Sequence, residues 1–80
     1  MAYEIHDTAH VVKRVKERGF TLQQAVETVN DPAGIVKTPP RRGNHGGMIW
    51  LFSRAFAARV LIIVAEIKNH ECWIITGYWA

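Results

Sequence analysis

Between Arg59 and Trp79 the chain reads RVLIIVAEIK-NH-ECWIITGYW, and no other segment restricts the fold so tightly. Both runs have strand composition, rich in β-branched and aromatic residues. Lys68-Asn69-His70-Glu71 is polar enough to be a hairpin turn, so strands over 59–68 and 71–79 are predicted to pair antiparallel. Val60 to Ala65 is apolar at every position, which predicts a central strand covered on both sides. With a two-residue turn, Lys68 faces Glu71 and Ile63 faces Thr76, so that Arg59, Thr76 and Tyr78 share one side of the sheet. A three-residue turn flips that parity.

Two helical periods precede these strands. The first helix starts at Asp7 or Thr8, either of which can cap free amides, and runs to Arg18, with Val11, Val12 and Val15 as its buried stripe and Ala9 beside it. Gly19 supplies the stop. Thr21-Leu22-Gln23-Gln24 is a capping box that opens a second helix to about Val29, burying Leu22, Ala25, Val26 and Val29. Asn30-Asp31-Pro32 breaks it. A short strand over Ile35 to Thr38 ends at Pro39-Pro40, a basic loop covers Arg41 to Gly47, and Met48 to Arg54 has strand composition. The expectation is one α+β domain over residues 1–80. Both N-terminal helices lie on one face of an antiparallel sheet of about four strands.

Composition removes several function classes. Apolar residues make up 49% of the chain and charged residues 21%, which suits a folded globule. No apolar run approaches the roughly 20 residues of a membrane span. The Tyr3-Glu4-Ile5-His6-Asp7 start lacks the basic and apolar regions of a signal peptide. The single cysteine, Cys72, reads as a buried thiol and fits a reducing cytosol. Net charge is +3, unevenly placed: from Pro32 to Ala65 there is no acidic residue, while Lys37, Arg41, Arg42, Arg54 and Arg59 fall inside that window. Lys13, Arg14, Lys16 and Arg18 form a second basic cluster, offset only by Glu17. Such a surface attracts polyanions such as RNA, DNA or an acidic protein, and it also serves plain solubility.

Within HVVKRVKERG, His10, Arg14 and Arg18 recur at four-residue steps and form a slanting row on one side of the first helix. On spacing alone this is the wet side, opposite the valines. Histidine is nevertheless a general acid or base near neutral pH, and an adjacent arginine can hold a phosphate. The chain ends in Thr76-Gly77-Tyr78-Trp79-Ala80; Trp79 is expected to seal the core, while Thr76 and Tyr78 can present hydroxyls on an open face. No metal site is expected, since the histidines and Cys72 offer no CxxC pair and His70-Glu71-Cys72 alternates sides across a turn. Walker and dinucleotide loops are missing, and the only serine, Ser53, lies inside a strand.

Together, His10-x-x-x-Arg14-x-x-x-Arg18-Gly19-Phe20, the Thr21 helix with its Asn30-Asp31-Pro32 stop, the basic loop and Ile74-Ile75-Thr76-Gly77-Tyr78-Trp79 resemble domain-of-unknown-function family 4258. That family resembles the barnase/EndoU/colicin/RelE fold group, rich in ribonuclease toxins of toxin–antitoxin and contact-dependent inhibition systems. The resemblance implies a RelE/barnase-like fold and a metal-independent endoribonuclease that cleaves tRNA or other RNA by 2′-hydroxyl transesterification, without a cofactor. It further implies His10 as general acid or base, Arg14 as phosphate clamp, and Thr76 and Tyr78 placing the phosphate or ribose. Substrate contacts would come from Lys13, Arg18, Arg41, Arg42, His45 and Arg59. His45 and Tyr78 both stand as candidates for the second proton-transfer group. The implied partners are RNA and a cognate acidic immunity or antitoxin protein, with action in the cytoplasm, including after delivery from another cell. The alternative is a non-catalytic basic module that docks an acidic protein or nucleic acid.

Overall fold

Lys68 pairs with Glu71, so the last hairpin does turn through two residues, with Asn69 in the left-handed region at φ 57°. In the computed structural model, residues 3–7, 9–31 and 34–80 are described, in backbone alone at 7, 9, 10 and 35–40. Thr8 and Pro32, expected as a helix cap and a helix breaker, lie outside the described residues. The elements are β1 (Glu4–Asp7), α1 (Ala9–Arg18), α2 (Leu22–Val29), β2 (Ile35–Arg42), β3 (Met48–Phe56), β4 (Arg59–Lys68) and β5 (Glu71–Trp79). They build one sheet in the order β1-β5-β4-β3-β2, with α1 packed on β5 and α2 on β4 and β3.

The α+β class and the N-terminal helices agree with expectation, but the sheet is mixed and has five strands rather than about four. The additional strand is β1, which pairs parallel with β5 from Glu4↔Glu71 to Asp7↔Ile74. Four residues are too few for a periodic signal, and their partner lies at the far end of the chain. β2 also continues through Pro39-Pro40 to Arg42, because an edge strand tolerates the missing amide donors; its register shifts between Val36 and Arg41.

Capping chemistry sets the helix ends. Gly19, at φ 70°, closes α1 and donates to the Val15 carbonyl at 3.1 Å. The Thr21 hydroxyl accepts from the Gln24 amide at 3.0 Å, while the Gln24 side chain accepts from the Thr21 amide at 2.9 Å. Val11, Phe20, Ala25 and Val29 then bury against Phe52, Leu61, Ile63, Ala65, Cys72 and Ile74. Val12 does not join them: at 52% exposed it is rotated about 100° from Val11, whereas Val15 returns to the stripe.

Two departures in the sheet decide what its free face displays. β4 is central, but only Leu61, Ile63 and Ala65 lie under the helices; Ile62 and Val64 on the other side stay half-buried and Val60 is exposed. It is therefore covered on one side, not both. Second, the β4–β5 register shifts between Val64 and Ala65, so Val64 faces Thr76 and Ile63 faces Gly77. This bulge turns Thr76 and Tyr78 to the free face and Trp79 to the helix side, where it packs edge-to-face on Phe56 at 6.2 Å. Arg59 goes with Trp79, its guanidinium 4.4 Å from that ring, and so does not share a side with Thr76 and Tyr78.

Gly77 is the pivot of this arrangement. A Cβ there would stand 2.6 Å from Ile63 Cδ1 and 2.8 Å from Phe20 Cζ. Gly77→Ala is expected to overpack the site and lower stability by about 1–3 kcal/mol, read from denaturant unfolding.

Candidate functional site

Residues paired across a sheet share a face, so the registers define what the helix-free side presents. One rung crosses all the strands: Arg41 faces Ile49, Ile49 faces Glu66, Glu66 faces Trp73 and Trp73 faces His6. Its neighbours are Lys68–Glu71–Glu4 on one side and Val64–Thr76, then Ile62–Tyr78, on the other. The free face is thus polar and aromatic at one end and aliphatic at the other.

Glu66 is the anchor of this rung. Only 1% exposed in the central strand, its carboxylate must find donors, and the Gly43–Gly47 loop folds down to supply them. The His45 and Gly47 amides each donate to Oε2 at 2.8 Å, and His45 Nδ1 stands 3.0 Å from Oε1. Gly43 packs so close that any Cβ there would collide with the Glu66 carboxyl. Burial by itself would raise the Glu66 pKa. Hydrogen bonds from the His45 ring and from the Gly47 and His45 amides outweigh it and hold the group below the ordinary glutamate value.

An Nδ1–H donor to the carboxylate leaves His45 Nε2 as a proton acceptor, and the His45 side chain remains 44% exposed. The ring stacks on Trp73 at 4.3 Å and 7°, and His6 stacks on Trp73 at 5.1 Å and 18°. His6 rises from β1 and His45 rides above β4, on opposite sides of the β5 strand that carries Trp73. His6 Nε2 lies 3.3 Å from Glu71 Oε1. Two histidine–glutamate pairs therefore flank one indole.

The residues expected from the sequence divide between the two faces. Thr76 and Tyr78 lie on the free face, half-buried and exposed, with exposed Arg41 on edge strand β2 and His45 above the central rung, whereas Arg42 pairs through Met48 and Ile67 with Cys72 and so belongs to the helix side. The α1 row lies on the helix side. His10 is in α1, its side chain outside the described ones. Arg14 pairs with Glu17, Lys13 lies 3.9 Å from the same carboxylate, and Arg18 donates to the Gly77 carbonyl at 3.0 Å. That carbonyl sits beyond the point where β1 stops covering β5. The structure therefore brings Arg18 to the main chain between Thr76 and Tyr78 but does not gather Arg14 with their hydroxyls. Cys72 is buried, its thiol pushed up to about 12 by desolvation, and so is inert.

Sequence reasoning missed Glu66, Trp73, His6 and Glu71. An acid inside VLIIVAEIK was the available signal, since a charge in a central strand needs a partner from elsewhere. His6 and Glu71 meet only through the parallel β1–β5 pairing. No family model, curated protein or solved structure matches this chain.

Glu66→Ala removes the acceptor for both loop amides and should cost about 1–3 kcal/mol, with faster amide exchange at His45 and Gly47. Because the folded-state pKa of Glu66 is lowered, its stabilisation is complete above the unfolded value and lost as pH falls through the folded one. Acid titration of unfolding should show this loss in the wild type and a smaller one in Glu66→Gln.

Proposed function

We propose that the chain is a metal-independent endoribonuclease of the toxin type, cutting tRNA or other cellular RNA by 2′-hydroxyl transesterification on the free sheet face. The observation that carries this reading is the imidazole of His45, oriented by buried Glu66 on the face that displays Thr76 and Tyr78. His45 Nε2 takes the ribose 2′-hydroxyl proton, the 2′-oxygen attacks its own phosphorus, and the bond to the 5′-oxygen breaks as that oxygen gains a proton. Tyr78 is the candidate donor, Thr76 a hydrogen-bonding group for the phosphate, and Arg41 its charge partner. This places the first proton transfer on His45, with His10 and Arg14 as the competing pair on α1. A cognate acidic immunity or antitoxin protein, and cytoplasmic action that includes delivery from another cell, belong to the same reading.

A second reading rests on the same carboxylate. Glu66 accepts two loop amides as well as the His45 ring, which fixes a basic loop in one shape, as a docking module that binds RNA or an acidic protein without chemistry requires.

Incubation of the full chain with total tRNA and EDTA separates the two. The nuclease reading expects fragments ending in a 2′,3′-cyclic phosphate, with the rate reduced about 10²–10⁴-fold in His45→Ala and folding retained. Loss in His10→Ala and Arg14→Ala but not in His45→Ala moves the chemistry to α1. Binding without cleavage establishes the module.

A further inference from the structure

The parallel pairing of β1 with β5 places Glu4 directly across from Glu71 on the free face, and His6, two residues along β1, on that same face. One donor atom from each lies within 4.8 Å of the others. Opposed like charges at a directly paired position destabilise a sheet unless something positive lies between them. Lys68, the antiparallel neighbour of Glu71, carries its ammonium toward Gly46, where a Cβ would stand 3.5 Å away. Among the described residues, Glu4 has no salt-bridge partner.

We infer that Glu4, His6 and Glu71 form a binding site for a divalent transition-metal ion, with zinc as the best-matched probe. An imidazole with two carboxylates and no sulfur is a donor set for zinc and neighbouring ions, and three protein ligands leave a position for water. Bonds of about 2.0–2.1 Å to a tetrahedral ion put donors roughly 3.3–3.5 Å apart, and His6 Nε2 and Glu71 Oε1 already stand at 3.3 Å. Glu4 is exposed and free to close the remaining gap by a rotamer change. Two features fix the frame independently of the carboxylates. The His6 ring is held in orientation by its stack on Trp73, and the Glu4 amide donates to the His70 carbonyl at 2.7 Å. The ion would join the first strand to the last at the sheet edge, outside the proposed proton transfers, so the site stands or falls independently of RNA cleavage.

Calorimetric titration of the full chain with Zn²⁺, in the absence of RNA, tests this. One ion per chain is expected, with affinity weakened at least about tenfold in each of Glu4→Gln, His6→Ala and Glu71→Gln. Zn²⁺ should also raise the wild-type melting temperature but not that of Glu71→Gln. Binding should persist in His45→Ala, His70→Ala and Cys72→Ser. Glu4→Gln changes an exposed side chain on an edge strand, so it reports on the site even where His6→Ala perturbs folding. Absence of saturable binding, or binding untouched by Glu4→Gln and Glu71→Gln, overturns the proposal, as does loss confined to His45→Ala.

Discussion

A carboxylate buried in the middle strand of a sheet has to be satisfied from outside its own strand, and Glu66 obtains its donors by holding a loop against the sheet. An unpaired buried charge would cost several kcal/mol, so that requirement reaches well beyond the residue itself. It dictates a glycine at 43, where a side chain would strike the carboxyl, and it delivers two amides and one imidazole to a single group. The His45 ring then has little choice of position and lies flat on Trp73. The loop reads as irregular in sequence, yet three of its polar groups are committed to one partner.

The bulge between Val64 and Ala65 is the second constraint. A regular ladder from the Lys68–Glu71 turn would point Thr76 and Tyr78 into the helices and Trp79 toward solvent. One extra residue on β5 reverses that, seating Trp79 among Phe56 and Arg59 and releasing the two hydroxyls to the free face. Gly77 then faces Phe20 and Ile63 with no room for a side chain, so core packing and the display of Thr76 and Tyr78 are the same fact seen from two sides.

Legibility in the sequence followed the range of the interactions. The helices, capping box, β4 and β5 were readable because their determinants lie within a few residues: Gly19, Thr21 with Gln24, and the Asn69-His70 turn. β1 was not, since its partner is β5 at the other end of the chain, and the bulge was not, since nothing in ITGYW marks an added residue. The same division applies to the site. Thr76, Tyr78, Arg41 and His45 stand out locally and share the free face, whereas Arg42, equally plain in the sequence, pairs through Met48 and Ile67 with Cys72 on the other side. The partners that orient His45, and the whole of His6, Glu4 and Glu71, depend on strand order. The α1 row shows the converse: its periodicity is real, but Arg18 is occupied by a strand carbonyl and Arg14 by Glu17.

Strand order also changes what the acid-free window means. In sequence, Pro32 to Ala65 promises a uniformly positive surface. In the fold, Arg41 enters the free face from β2 while Glu66, Glu71 and Glu4 enter it from β4, β5 and β1, so the face is basic at one edge and acidic at the other. The Glu66 carboxylate is buried and its oxygens are engaged by hydrogen bonds, but Glu4 and Glu71 are a third or more exposed and would repel a phosphate chain approaching Trp73 from the β1 side. On the proposed RNA-binding reading, a polyanion on this face would be drawn in over Arg41 and the His45 loop. Its path along the β1–β5 edge depends on how the two glutamates are compensated. A divalent ion held with His6 would cancel both charges at that edge, and the proposed metal site and the proposed RNA face would then act on one another through electrostatics while sharing no chemical step.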